Sequence, residues 1–194
     1  MELLKDKIWI TRKSRIEASE RLLRNDFHSH LLVNYYALFV VIISVYDLYC
    51  KEVDLALLSV IGSILVLTTS IFITSKNFKE RSNFFKTCYL KLDLILKKIN
   101  SLNKDEKESK YLPISEEYHD VLLNSENHLA VDFTKMKLSI PKENRQKSTQ
   151  IAANEYINYY LYLFARTLCM TILYLLPLII TFLYTVNAGL QTLQ

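Results

Sequence analysis

Three side chains in the stretch Tyr118–Phe133 could do chemistry together. His128 and Asp132 are four residues apart, which would place both on one face of a helix, and Glu126 lies two residues before the histidine. A histidine beside a carboxylate can form part of a metal site or a proton relay. The same pair also orients a structural histidine, and a metal needs further ligands. We therefore interpret His128, Asp132 and Glu126 as cytosolic residues with a structural or partner-contact role.

The rest of the sequence contains no pattern typical of an active site. Cys50, Cys88 and Cys169 are odd in number and widely spaced, and no His-Glu-x-x-His motif occurs. No nucleophile stands beside the His128–Asp132 pair. The sequence therefore predicts no catalytic residue, no metal site and no cofactor, and it indicates a protein that is not an enzyme.

The elements that carry these residues are separated by long runs without charge. Residues 31–46, 55–75 and 167–194 contain no Asp, Glu, Lys or Arg. A helix needs about 20 apolar residues to cross a bilayer. A soluble bundle of three such helices would need a surrounding shell that the charged remainder of the chain cannot provide. The pattern predicts an all-α membrane protein with an N-terminal transmembrane hairpin, cytosolic helical extensions and a long C-terminal apolar helix.

Flanking charge predicts how the chain is divided and oriented. Residues 1–30 hold seven Lys or Arg and residues 76–100 hold seven more, whereas the tip between the first two runs holds only Lys51. Positive charge stays in the cytoplasm, which indicates a membrane protein with a cytosolic N-terminus and a cytosolic central region. The predicted segments are a cytosolic amphipathic helix (1–30), a transmembrane hairpin (31–75, with spans at about 31–50 and 55–75 and an external turn at 47–54), a cytosolic helical region (76–155) and a third apolar helix (156–187) that spans the membrane.

The first thirty residues read as a basic helix. Four arginines are interleaved with apolar residues, and a basic amphipathic helix beside a membrane attracts anionic lipid headgroups. Five acidic residues in the same stretch favour packing on a cytosolic neighbour instead. Both lipid-facing and partner-facing roles stay open for Arg12, Arg15, Arg21 and Arg24.

An apolar stripe follows the second run. Its members recur at steps of three and four, which predicts that the second span continues into the cytosol with one face packed against a partner. They are Phe85, Tyr89, Leu92, Leu96, Ile99 and Leu102.

Hydroxyl side chains form stripes within the apolar runs. In a membrane such a face serves helix packing, or it forms a weakly polar lining when several copies assemble. The candidates for these two roles are Ser59, Ser63, Ser70, Thr74, Thr167, Thr171, Thr181 and Thr185. Tyr35 and Tyr36 lie toward a segment end, where aromatic rings favour the interface.

Taken together, the order of parts resembles a known family. The pattern W-x-T-x-x-x-R-x-x-A-x-x-R-L fits Trp9, Thr11, Arg15, Ala18, Arg21 and Leu22. It is followed by NYYALFVVIISVY, a short turn, a second span, an ENH triplet with an Asp four residues after its histidine, and a last long helix. This resembles the SLATT domain, the two-membrane-helix effector module of bacterial conflict systems, and within it the branch associated with reverse transcriptases.

The resemblance implies a function that the residues alone do not establish. A SLATT effector is expected to form a homo-oligomer in the lipid bilayer and to permeabilise or depolarise the cell membrane in antiviral defence by abortive infection. Its expected partner is a sensor, either a nucleotide-signalling enzyme or a reverse transcriptase with its nucleic acid. The alternative is a membrane anchor that recruits such an enzyme without forming a pore. A net charge of +4 leaves direct nucleic-acid binding open.

Overall fold

The computed structural model describes residues 1–49, 55–141, 145 and 149–191, and the side chains of these residues except 104, 105 and 185–191. All regular structure in these residues is helical, and no strand occurs among them. The helices are α1 (Glu2–Tyr49), α2 (Ala56–Ser75), α3 (Phe78–Ser101), α4 (Lys104–Ser109), α5 (Tyr111–Leu123), α6 (Ala130–Ser139) and α7 (Ala153–Gln191). The predicted all-α membrane fold class is confirmed, since α1, α2 and α7 each contain a stretch long and apolar enough to cross a bilayer.

Helix α1 is unbroken over 48 residues. It contains neither Gly nor Pro, the two residues that most disfavour a helix interior. Its buried apolar side chains recur at helical spacing, at Leu4, Ile8, Ala18 and Leu22. The chain is divided into two compact units, and α1 supplies residues to both of them.

The first unit comprises Met1–Asn25 and Phe78–Tyr162. The start of α1, one face of α3 and α5 together enclose its main apolar core, whose buried members include Ile8, Leu92 and Ile114. The stripe predicted after the second run is confirmed as core-forming at Phe85, Leu92, Leu96 and Ile99, all of which are buried.

The second unit comprises Asp26–Asn77 and Leu163–Gln194. Within it α1 and α2 pack closely, because the missing side chain of Gly62 makes room for Val40. A second contact joins the same two segments, in which the Leu55 backbone N–H donates to Asp47 Oδ1 at 2.7 Å. Asp47 lies seven residues after Val40, and Leu55 lies seven residues before Gly62. The two contacts share one antiparallel register. Residues 50–54 of the predicted external turn lie outside the described residues.

A short break separates α2 from α3. Asn77 has a φ of 49°, in the left-handed region that asparagine enters more readily than most residues. The predicted continuation of the second helix is therefore present as α3, but it follows a break at Asn77. The stripe on α3 gave no sign of the break because a left-handed residue changes the backbone path without changing the apolar spacing beyond it.

Candidate functional site

The three residues that could take part in chemistry, His128, Asp132 and Glu126, do not share one helix face. His128 lies in the non-helical connection 126–129, and Asp132 lies in the first turn of α6. Glu126 pairs with Arg81 at 3.0 Å between Oε2 and Nε, where both side chains are exposed. The expected i, i+4 face is wrong because α6 begins only at Ala130. Among the described residues no group of three His, Cys, Asp or Glu side chains could hold a metal ion.

Asp132 is held by the first helix and by its own. Arg21 donates to it twice, from Nε to Oδ1 at 2.7 Å and from Nη2 to Oδ2 at 3.1 Å. The Leu129 backbone N–H also donates to Oδ2 at 3.0 Å, which occupies a free donor at the start of α6. A paired, bidentate carboxylate in this position fixes α6 against α1.

Arg15 is the most deeply buried cation among the described residues, with 2% of its surface exposed. Its guanidinium carbon lies 5.3 Å from the centre of the Phe85 ring, and Nη2 donates to Asn127 Oδ1 at a long 3.4 Å. Nε and Nη1 have no hydrogen-bond partner among the described residues. Burial lowers the pKa of Arg15, partly offset by nearby groups including Glu126.

The four candidate arginines of α1 therefore differ in what they face. Arg15 and Arg21 are turned into the first unit, and an outward, lipid-facing role is wrong for both of them in this arrangement. Arg15 lies on the same helical face as the core residue Leu22, seven positions on, which explains its burial. Arg12 pairs with Asp93 at 3.1 Å, and Arg24 stays exposed beside Glu20 at 3.7 Å.

His128 sits close to this polar cluster. Burial is the main cause that lowers its pKa, the neighbouring Arg15 adds to the shift, and Asp132 opposes it. Its Nδ1 has no hydrogen-bond partner among the described residues. The folded protein thus favours the neutral imidazole at this position.

A pH dependence of stability follows from His128. Because its folded pKa lies below the unfolded value of about 6.5, the unfolded chain binds more protons in the window between the two values. Stability contributed by His128 is therefore complete above pH ~6.5 and is lost as the pH falls toward the folded pKa. Urea unfolding of the detergent-solubilised chain at several pH values should show this loss in the wild type and not in His128→Gln.

The control for this measurement is His119→Gln, since His119 is exposed. It should keep the wild-type pH dependence. An unchanged slope in His128→Gln would show that another group is responsible.

The hydroxyl candidates in the second unit divide into two sets. On α2, Ser59 and Ser70 are half-buried, whereas Ser63 and Thr74 are exposed. On α7, Thr167 and Thr171 are exposed and Thr181 is half-buried. The side chain of Thr185 lies outside the described ones.

Most of these hydroxyls bond to their own helix. Ser63 donates to the Ser59 carbonyl at 2.8 Å, Thr74 to Ser70 at 2.9 Å and Thr167 to Leu163 at 2.9 Å. A hydroxyl bonded in this way needs no other partner in an apolar medium. These stripes are therefore compatible with lipid, with a neighbouring helix and with water.

Sequence reasoning missed the contact that ties α7 to α1. Tyr36 donates its hydroxyl to the Leu173 carbonyl at 2.7 Å, and Tyr35 donates to the Tyr174 carbonyl at 3.2 Å. Both tyrosines were predicted at the interface, and the structure instead places their hydroxyls on the backbone of the third apolar helix. The available signal was Pro177, which lies four residues after Leu173 in that helix.

These features define a class of protein: an all-helical membrane protein whose charged unit packs around an apolar core and contains the buried ion pair Arg21–Asp132. The family profile described as SMODS and SLOG-associating 2TM effector domain family 5 matches residues 1–183, and the chain belongs to that family. This is a family of membrane effector domains of conflict systems and not a known class of enzyme. No curated protein and no solved structure gives a match. The family name counts two membrane helices, whereas the described part of this chain contains three helices apolar enough to span.

Proposed function

We propose that this chain is the membrane-damaging effector of a bacterial anti-phage defence system, acting as a homo-oligomer that permeabilises or depolarises the inner membrane when a partner sensor is triggered. The observation that carries this proposal is the surface of the second unit. Its three apolar helices expose apolar side chains almost throughout, and no residue of α2 is buried. The hydroxyl stripes on α2 and α7 interrupt this apolar surface. They are candidates for contacts between copies or for the lining of a pore that several copies form.

The proposed topology places three spans in the membrane. The N-terminus and residues 76–155 are cytosolic, the 47–54 turn is external, and α7 spans within 156–187 as the third helix. Two facts support a spanning α7: it is apolar enough, and two tyrosines of α1 bond to its backbone. The concentration of Lys and Arg before Leu31 and after Ser75 supports the orientation.

The proposed partner is a sensor enzyme. The family name itself records association with SMODS and SLOG proteins, which favours a nucleotide-signalling enzyme. A reverse transcriptase with its nucleic acid is the second candidate, on the resemblance described above. The cytosolic unit would receive the signal and the spans would cause the damage.

A non-permeabilising membrane anchor is the alternative function. It is favoured by one observation: the exposed hydroxyls are already bonded to their own helices and require no pore to satisfy them. In that case the first unit alone would carry the function, by recruiting the partner enzyme.

Cysteine labelling in cells tests the proposal. Ser63→Cys and Thr68→Cys are placed in a chain whose own cysteines are replaced by serine. The two positions are five residues apart, so they point about 140° away from each other. A charged, membrane-impermeant thiol reagent should change the triggered loss of membrane potential through position 63 and leave it unchanged through position 68.

Triggered wild-type cells give the reference for this experiment. A membrane potential that stays constant after triggering, with the chain confirmed in the membrane, would favour the anchor. Equal effects of the reagent at both positions would contradict a lining role for the hydroxyl stripe that contains Ser63.

A further inference from the structure

The middle of the third apolar helix contains a break in its hydrogen bonding. In an α-helix each N–H bonds to the carbonyl four residues earlier, and proline has no N–H to donate. Pro177 is buried inside α7, so the carbonyl of Leu173 loses its helical donor. In a membrane, where water is absent, such a carbonyl needs another partner.

Helix α1 supplies that partner. The Tyr36 hydroxyl lies 2.7 Å from the Leu173 oxygen, a normal distance for a hydroxyl donor. The neighbouring Tyr35 hydroxyl reaches the next carbonyl, that of Tyr174, at 3.2 Å. Two consecutive residues of α1 therefore donate hydrogen bonds to two consecutive carbonyls of α7, which lie four and three residues before the proline.

Two further hydroxyl groups, those of Thr181 and Tyr174, lie near this contact, and only the first of them has a hydrogen-bond partner among the described residues. The Thr181 hydroxyl donates to backbone carbonyls of its own helix, with Oγ1 at 3.0 Å from the Pro177 oxygen and at 2.9 Å from the Leu178 oxygen. The Tyr174 hydroxyl is buried and has no hydrogen-bond partner among the described residues. Its ring packs against Tyr35, with centroids 6.0 Å apart. An unpaired buried hydroxyl raises the free energy of this arrangement relative to one in which it is bonded.

We propose that Tyr36 is a positioning residue that replaces the hydrogen bond missing at Pro177, and that release of the Tyr36–Leu173 contact is the step by which α7 changes shape during permeabilisation. The second half of this inference rests on the proposed function, and the first half does not. Without Tyr36, α7 keeps an unbonded carbonyl one turn before a proline that cannot donate to it, which makes this point the natural hinge of the span.

A double-mutant cycle tests the positioning role in the full chain, reconstituted in nanodiscs. Tyr36→Phe removes only the hydroxyl and leaves the Leu173 carbonyl unpaired. Pro177→Ala restores an N–H that can serve the same carbonyl within α7. Amide hydrogen exchange at residues 174–176 and 178 should rise roughly tenfold in Tyr36→Phe. It should stay close to the Pro177→Ala reference value when Tyr36→Phe is added to Pro177→Ala.

Tyr49→Phe is the matched control, because Tyr49 is on the same helix with an exposed ring. It should leave exchange in α7 unchanged. Equal effects of Tyr36→Phe with and without Pro177 would overturn the positioning role, since a merely structural tyrosine would behave in that way. If Tyr36→Phe alone fails to assemble, recovery of assembly in the double variant with Pro177→Ala shows the same coupling, and equal failure in both backgrounds overturns the positioning role.

Membrane potential in cells separates the two halves of the inference. Tyr36→Phe should depolarise cells at a lower level of trigger than the wild type, and Pro177→Ala should require a higher level. Coupling in the exchange cycle with an unchanged trigger level in both variants would overturn the gating step alone. Absence of depolarisation in the triggered wild type would overturn the proposed function and leave the positioning role standing.

Discussion

Replacing Asp132 with alanine is expected to lower the free energy of unfolding by about 3–5 kcal/mol, the usual cost of removing one partner of a buried ion pair. The carboxylate is almost fully buried, and Arg21 grips it through two nitrogens. Its loss leaves the guanidinium largely without water and without a counter-charge. The same change removes the acceptor for the Leu129 N–H at the start of α6. Urea unfolding in detergent, followed by circular dichroism, measures the effect.

Two comparisons show whether the ion pair itself is responsible. Arg24→Ala removes an exposed arginine of the same helix that pairs loosely with Glu20, and it should cost less than about 1 kcal/mol. The double variant Arg21→Met with Asp132→Leu removes both charges and should recover most of the stability lost in Asp132→Ala. An Asp132→Ala effect no larger than that of Arg24→Ala would contradict the role assigned to the pair.

Replacing Gly62 with leucine is expected to separate the two helices of the hairpin. A Cβ at this position would lie 2.8 Å from Val40 Cγ2, closer than real Cβ atoms approach. Val40 is β-branched and has little rotamer freedom to move aside. Overpacking of this kind costs about 1–3 kcal/mol, and sometimes more. Steric trapping or denaturant unfolding in bicelles measures the loss in the membrane unit.

A compensating change identifies the contact. Gly62→Ala should be harmful alone and much less harmful together with Val40→Ala, which removes both Val40 methyl groups. Ala165→Leu, at an exposed position of α7, is the control. It adds side-chain volume outside a tight site, and it should change stability by less than about 0.5 kcal/mol. Without rescue by Val40→Ala, close approach of α1 and α2 would not explain the effect.

The all-helical membrane fold could be predicted because its signals are local. Charge-free runs of about 20 residues indicate membrane spans whatever the rest of the chain does. The stripe at Phe85, Leu92 and Leu96 indicated a packed face, and the structure buries it. Family membership could also be predicted, because order and spacing of parts extend over the whole sequence.

The polar contacts could not be predicted, because they join residues far apart in the sequence. Arg15 meets Asn127 and Arg21 meets Asp132 across more than a hundred residues. An arginine in a helix normally indicates an exposed face, so the residue type of Arg15 argued against its burial although it shares a helical face with Leu22. The face proposed for His128 and Asp132 depended on where α6 begins, and helix ends are the least certain part of any sequence pattern.

The hydroxyls of Ser63, Thr74 and Thr167 affect how large a free-energy difference is needed to switch this protein between two arrangements of its helices. Each keeps its hydrogen bond to its own helix whether the side chain faces acyl chains, another protein surface or a hydrated space. Rotating such a helix therefore changes little of its polar free energy, and two arrangements of the bundle can be nearly isoenergetic. Starting from nearly equal populations, a differential binding energy of about 2.8 kcal/mol, which is a hundredfold difference in affinity, converts 1:1 into 99:1. One modest protein contact made in a single state would then be sufficient to set the whole assembly.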